Sequence, residues 1–461
     1  MKKSVLSGLV GLLVAQPALA IDLIGAYEKA LAYDSGIAAA RASYESQQAN
    51  INVVRSQLLP QLSAFGDARH TDADGPGRED SYKTYSYGLE LAQPLFRPEI
   101  WFNFDASQFQ SQSARADYSL AQQQLILDVA TAYFDVLRAE DNLTTVRAAE
   151  AAFERQYDQA RERYEVGLIA ITEVYEARAS YDSTKSERIA AENDLDIARE
   201  QLSRLIGENV DDLQNLEQDF PLTRPQPMDP SAWENIALQQ NWRIQGAAYD
   251  LDASRSLLDA AKSGHLPTLD LSASYGNTRL DGVGQTSPLQ TNRDGTTTEG
   301  VVALRLNVPL YEGHGTQAEI RQQRAQVEVA DQNLNTVRRD VSVNARSFYR
   351  TVNTNIETVT AQRQSIVSRR SALDATRAGY QVGTRNIVEV LDAERNYYIS
   401  LRDYANARYD YVVNTLNLKL VAGTLSPQDL VDLNRWLSSS APGIEAIATD
   451  ETTENPLQSA P

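Results

Sequence analysis

The chain has 461 residues, enough for more than one domain, and carries a net charge of −19 at neutral pH. This acidic balance argues against nucleic acid as a partner. The sequence has no cysteine, which excludes disulfides and thiolate metal sites. Its three histidines lie at unrelated positions, His70, His265 and His314, and no phosphate-binding glycine loop occurs. The sequence therefore predicts neither an enzyme nor a bound metal or cofactor.

Residues 1–20 have the features of a secretory signal peptide. Lys2 and Lys3 open the chain, a short apolar run follows, and Ala18-Leu19-Ala20 is a small-residue cleavage site. The apolar run is too short to span a membrane, and a buried first helix is the alternative. An exported chain without cysteine fits the bacterial envelope.

A fifteen-residue phrase that occurs twice predicts an internal duplication. Residues 164–178 read YEVGLIAITEVYEAR and residues 380–394 read YQVGTRNIVEVLDAE, with seven identical positions at an offset of 216. Each copy is expected to run as a helix, two strands, a very long helix, the phrase and a return helix.

These elements define the expected domains in chain order. The first repeat is predicted at 21–207, with strands at about 61–70 and 82–93. A proline-containing linker at 208–230 precedes the second repeat at 231–423, with strands at about 267–279 and 299–309. Residues 424–437 follow, and 438–461 have the composition of a disordered tail.

The long helices are the strongest structural signal. In the second copy, apolar residues recur every seven positions with one step of four, and no proline interrupts 310–426. This seam consists of Ile320, Val327, Leu334, Val341, Phe348, Val352, Val359, Ile366, Leu373 and Tyr380. It predicts a coiled-coil helix from about 315 to 378, on the order of 95 Å long. The other long helix is predicted at 98–163, the return helix at 171–206 and the second opening helix at about 231–264. An ordinary dimeric coiled coil is the alternative.

The strands alternate apolar and polar residues with a period of two. Leu89 and Leu91 lie on the apolar side of the second strand, and Leu271 and Val302 on those of the later strands. Ten-residue alternating strands with polar loops favour a membrane β-barrel over soluble hairpins. Such barrels need at least eight strands, so several chains would have to close one together. The strand count alone leaves the number of chains open.

The repeated phrase, together with LLPQL, GHLPTLDLSAS, VPLYEG and YANARYDYVVNTLNLKLVAGTL, resembles the outer-membrane efflux protein family, the TolC-type exit channels of Gram-negative efflux pumps and type I secretion systems. The resemblance covers the mature chain to about residue 437. It implies a mainly α-helical homotrimer with a 12-strand β-barrel in the outer membrane, four strands per chain, and a 12-helix α-barrel in the periplasm. Residues 208–230 and 424–437 would form an equatorial segment.

The resemblance also implies partners and a mechanism. A periplasmic adaptor protein and an inner-membrane transporter of RND, ABC or MFS type would supply substrate and energy, and outer-membrane lipid would surround the barrel. The channel itself would be a passive duct that opens when helices untwist like an iris. A periplasmic coiled-coil adaptor or structural protein is the alternative, but it would not need four amphipathic strands.

The same resemblance assigns roles to residues of the repeated phrase. Gly167 and Gly383 would form the turns at the periplasmic tip. Glu389 and Asp392 would contribute to an acidic ring at the entrance, to which Glu176 could add charge. A gate latch would join Tyr380 and Arg385 to Thr172 and Glu173. Gln156 matches a residue that bonds an acid of the adjacent chain, but the position of that acid here is Arg377, which puts the contact between chains in doubt.

Overall fold

A computed structural model describes residues 21–75, 78–210, 212–282 and 295–439. The predicted signal peptide and the tail from residue 440 lie outside the described residues. In the first half, the elements are α1 (Leu23–Tyr33), α2 (Ser35–Ser56), β1 (Gln61–Gly75), β2 (Arg78–Phe96), α3 (Pro98–Glu165) and α4 (Ile171–Ile206).

The second half repeats this order after a short strand, β3 (Asn215–Leu216). Its elements are α5 (Pro230–Gln240), α6 (Trp242–Ser263), β4 (Thr268–Asp281), β5 (Gly295–Asn307), α7 (Gly315–Gln381) and α8 (Ile387–Ala422). Helix α9 (Pro427–Asn434) and strand β6 (Leu437–Ser438) end the described part. Ser438, placed by the sequence in the tail, thus belongs to a strand.

The sequence accounts for the long helix α7 and for several helix ends. In α7, Leu334, Val341, Val352, Val359 and Leu373 are all buried, and they follow the seven-residue spacing with one step of four seen in the sequence. Proline starts α3, where its missing N–H is not needed. Glycine in a left-handed conformation ends α4 at Gly207 and α8 at Gly423, with φ of 77° and 75°.

Each opening helix is broken once, which corrects the expectation of a single helix over 231–264. Asn241 separates α5 from α6 with an extended ψ of 125°, and its Nδ2 donates to the Val421 carbonyl at 2.8 Å. Asp34 separates α1 from α2 with ψ of 122°, and its Oδ1 accepts from the Ile37 amide at 2.9 Å. Neither break needs proline or glycine, so the sequence pattern did not reveal it.

The breaks pack against the ends of the return helices. A Cβ atom at Gly207 would lie 2.6 Å from the Tyr33 ring, and one at Gly423 would collide with the Gln240 carbonyl. Tyr33 and Gln240 each precede a break. Glycine is therefore required at both positions for two reasons: the backbone φ is positive, and a neighbouring residue lies too close for a Cβ atom.

The four long strands form one antiparallel sheet in the order β1-β2-β4-β5. Leu62 pairs with Leu91, Leu91 with Ala273, and Ala273 with Val302, so the predicted apolar positions of three strands share one face with Leu62 of β1. The face is open: Leu62 is 68% exposed and Val302 77%. Within the described residues, β1 and β5 each have one edge without a pairing strand.

The strands extend beyond their predicted bounds. The ladder of β1 and β2 continues to Gly75 and Arg78, and β4 reaches Asp281. Apolar residues stop alternating earlier, but backbone hydrogen bonds do not depend on that alternation. The residues between the first two predicted strands, 71–81, are therefore mostly strand in the part that the structure describes.

The predicted equatorial segments meet in a small sheet. β3 pairs with β6, and Ile21 bridges Leu213. Asn434 at the end of α9 accepts from the Leu23 amide at 3.0 Å and donates to Asp22 at 2.9 Å. The start of α1 is thereby fixed to the segment that follows α8.

The described residues divide into two compact units. One unit takes the described residues up to Ile37, those within Ala121–Asn241 and those from Val341 onward, and the other takes those within Ala38–Leu120 and Trp242–Asp340. The four-stranded sheet belongs to the second unit and both helix reversals belong to the first. No helix of the described ranges combines the length and the hydropathy needed to cross a membrane.

Candidate gate at the helix reversals

The two long helices reverse through turns of the same geometry. Gly167 and Gly383 both have φ of 77°, and nothing lies within 4 Å of a Cβ built on either. The amide of each glycine donates to a carbonyl three residues earlier, at 2.9 Å from Tyr164 and 3.1 Å from Tyr380. Both glycines thus occupy tight turns that need a left-handed residue.

The return helices begin differently. Asn386 caps α8, with its Oδ1 accepting from the Glu389 amide at 2.9 Å, and Glu389 closes a capping box. The equivalent cap of α4 is Ala170, which has no side-chain oxygen. Glu173, the counterpart of Glu389, is therefore not engaged in a capping box.

Glu173 instead bonds the second copy. The Tyr380 hydroxyl at the end of α7 donates to Glu173 Oε2 at 3.1 Å. The guanidinium of Arg163 lies 4.8 Å from the centre of the Tyr380 ring, over its face. Burial raises the pKa of Tyr380, and the negative charge of Glu173 raises it further. The hydroxyl therefore keeps its proton and remains a donor.

An apolar cluster lies behind this hydrogen bond. It joins α3, α4 and α8 through Phe153, Ala160, Val174, Ala177, Ile387, Val390 and Leu391, with Tyr380 packed at its margin. The α3–α4 and α7–α8 hairpins are thus held together by packing as well as by the Tyr380–Glu173 hydrogen bond.

Arg385 has a different partner from the one implied by the resemblance. Its Nη1 donates to Glu389 Oε2 at 2.5 Å, four residues along the chain. The contacts of the described residues include none from Arg385 to Thr172 or Glu173, and Thr172 is exposed. The hydrogen bond from Arg385 lowers the pKa of Glu389 and keeps it ionised.

The two predicted entrance acids lie one turn apart near the start of α8. Asp392 is exposed and receives a 3.3 Å bond from Arg395. Since Glu389 is paired with Arg385, each acid has an arginine beside it, which reduces the negative charge that one chain presents here. Glu176 is exposed and has no ion pair in the part of the chain that the structure describes.

Arg377 bonds within its own chain. Its Nη2 donates to Glu394 Oε1 at 2.6 Å, and Glu394 is fully buried. Gln156 is half-buried and no polar contact joins it to Arg377 among the described residues.

Two residues with a part in this site were not identified from the sequence. Arg163 was not distinguished from other surface arginines of α3. Glu394 follows Ile387 and precedes Leu401 at steps of seven, so a charged residue in a buried seam was the signal that could have revealed it. The described residues contain no group of His, Asp and Glu arranged to hold a metal ion.

Comparison with known proteins gives a consistent picture. A model of the outer membrane efflux protein family matches residues 26–208 and 233–424. The outer membrane protein TolC of Vibrio cholerae is 36% identical over 419 residues, which cover 90% of this chain and 94% of that protein. The alkaline protease secretion protein AprF of Pseudomonas aeruginosa is 27% identical over 429 residues, covering 91% and 88%.

Solved structures share the fold at low sequence identity. A crystal structure of CusC aligns with a TM-score of 0.77 and 18% identity, covering 89% of this chain and 95% of that one. The outer membrane channel CmeC of Campylobacter jejuni aligns with a TM-score of 0.74 and 17% identity, covering 91% and 90%.

Proposed function

The chain belongs to the outer membrane efflux protein family, and on that basis we propose that three copies form a passive exit duct through the outer membrane. The four-stranded sheet is the observation that carries the proposal. It has an exposed apolar face and two strand edges without a pairing strand among the described residues. Three such sheets joined at β1 and β5 would close a 12-strand barrel, in which every edge strand is hydrogen-bonded to a neighbouring strand.

The long helices would form a 12-helix tunnel in the periplasm. Since the chain has no motif for nucleotide hydrolysis, the duct would depend on an inner-membrane transporter and a periplasmic adaptor. Relatives named for alkaline protease secretion and for cation efflux support two kinds of cargo, secreted proteins and small solutes. We assign this chain to one or both of these export routes.

The helix reversals would form the gate of the duct. Tyr380 ties the end of α7 to Glu173 on α4. The first copy is the anchor, because among the described residues three ion pairs join α3 to α4 and one joins α7 to α8. Arg385 could add to this latch at Thr172 or Glu173 only by leaving Glu389. Opening would then separate the α7–α8 hairpin from α3–α4 in an iris-like untwisting.

Single-channel conductance of the purified protein in a planar bilayer tests both proposals. We expect a small, cation-selective conductance that rises several-fold in Tyr380→Phe, which loses the hydroxyl donor and keeps the ring. Tyr164→Phe is the matched control, because Tyr164 is the equivalent residue of the first copy and is exposed. If the wild type conducts and Tyr380→Phe has the same conductance, the proposed latch is wrong. If a folded trimer does not conduct, the proposed duct is wrong.

A further inference from the structure

The ion pair of Arg377 and Glu394 is the feature of the reversals that the proposed latch does not use. The Glu394 side chain is 1% exposed, whereas that of Arg377 is 40% exposed. Glu394 Oε2 and Arg377 Nε have no hydrogen-bond partner. The Glu394 carboxylate is thus removed from water and accepts one hydrogen bond. The free energy of keeping it buried therefore depends on whether it is ionised.

The pair joins α7 to α8 in a hairpin with few such links. Among the described residues it is the one side-chain ion pair between these helices. The first hairpin has three between α3 and α4: Glu140–Arg199, Arg147–Glu192 and Glu150–Arg188. The positions equivalent to Arg377 and Glu394 in the first copy are Arg161 and Arg178, which pair within their own helices. The buried link is therefore specific to the hairpin that would move.

The charged and titratable groups around Glu394 come from three helices. Arg377 faces it from α7, Arg155 from α3, and Tyr398 is on α8 itself. Burial raises the pKa of Glu394, and Arg377 and then Arg155 oppose that effect. Burial and the Glu394 charge raise the pKa of Tyr398 to about 12. The pKa of Glu394 is thus raised from the ordinary acidic value, whereas that of Tyr398 is moved further above neutrality, so Glu394 is the group of this cluster whose charge can respond to pH.

We propose that Glu394 and Arg377 are a positioning pair that links closure of the gate to a proton, an inference that rests on the proposed gating movement. Separation of the α7–α8 hairpin from α3 would admit water to Glu394. Hydration would return its pKa toward the ordinary value, so the closed state binds the proton more tightly than the open state. Falling pH then favours the closed state. Rising pH through the raised pKa leaves an ionised carboxylate in a dry site and favours opening.

The test is the pH profile of bilayer conductance for the full-length trimer, from the ordinary glutamate pKa of 4.5 to mildly alkaline pH. We expect the wild-type conductance to rise with pH and Glu394→Gln to stay low and flat. Arg377→Gln should extend the rise to higher pH and enlarge it, because Glu394 without its cation has a higher pKa in the closed state, and Arg377→Lys should restore the profile. Glu140→Gln is the matched control: burial also raises the pKa of Glu140, but it joins α3 to α4.

Each outcome distinguishes this inference from the gate on which it rests. A wild-type pH profile in Glu394→Gln overturns the inference, and so does the loss of the profile in Glu140→Gln. If Glu394→Gln fails to form a heat-resistant trimer, an unshifted profile in Arg377→Gln overturns it instead. Tyr380→Phe measured in parallel should conduct more at every pH. If it does not, the gate itself is wrong, whatever Glu394 does.

Discussion

Glu173 and Glu389 occupy equivalent positions at the third residue of a return helix, yet they have different partners. Asn386 draws Glu389 into a capping box, while Ala170 cannot do the same for Glu173. The absence of a cap oxygen in the first copy leaves the Glu173 carboxylate for Tyr380. One small residue thus decides whether an acid stabilises its own helix or bonds another.

Ala170→Asn is expected to stabilise α4 and raise the conductance. A side-chain cap is worth about 0.5–2 kcal/mol, and a completed capping box would compete with Tyr380 for Glu173. Thermal dissociation of the trimer and bilayer conductance would measure the two effects. Ala170→Val, which cannot cap, should change neither. Greater heat resistance with unchanged conductance would show that the cap does not control Glu173.

Prediction from sequence reached the main residues of the site but not all of their contacts. In one chain Tyr380 bonds Glu173 and both tip glycines occupy turns, and the latch itself stays a prediction. Within one chain Arg385 bonds Glu389, because a glutamate four residues away competes with the more distant Glu173, so its bond to Thr172 or Glu173 stays a prediction. Spacing alone cannot rank partners when two acids lie within reach of one arginine.

At the scale of elements, each return helix ends against the break in an opening helix. Gly423→Ala is expected to destabilise the protein, and the trimer that we propose, more than Gly383→Ala. Both residues have a left-handed backbone, which costs about 1–2 kcal/mol for alanine. A methyl group at Gly423 would in addition collide with the Gln240 carbonyl, whereas Gly383 has open space. The temperature of trimer dissociation checks the order, and equal losses would contradict it.

Helix α7, which has a strong periodic pattern of apolar residues, was predicted well, whereas the break between α5 and α6 was not. The seven-residue seam gave the bounds of α7 to within three residues, 315–378 against Gly315–Gln381. The break at Asn241 depends on a hydrogen bond to Val421, 180 positions away, and such a contact leaves no local pattern. The strand ends were missed for the related reason that hydrogen-bonded backbone continues after apolar alternation stops.

At the scale of the whole molecule, family membership confirms the predicted outer-membrane location. The exposed apolar face of the sheet is the surface that lipid would cover. Val302→Lys should reduce the amount of heat-resistant trimer in the outer-membrane fraction, since a lysine on a lipid-facing position costs about 2–4 kcal/mol near the bilayer midplane. Val301→Lys is the matched control on the opposite face. Equal yields from the two variants would show that this face does not contact lipid.

The difference between Ala170 and Asn386 also has a genetic consequence. A gene encoding a single hairpin would place the same residue at every equivalent position of a ring, so all return helices would be capped or none would be. A duplicated gene can mutate one codon and alter alternate hairpins only. In the duct that we propose, selection could then adjust the hairpin that would move while the other hairpin keeps its sequence.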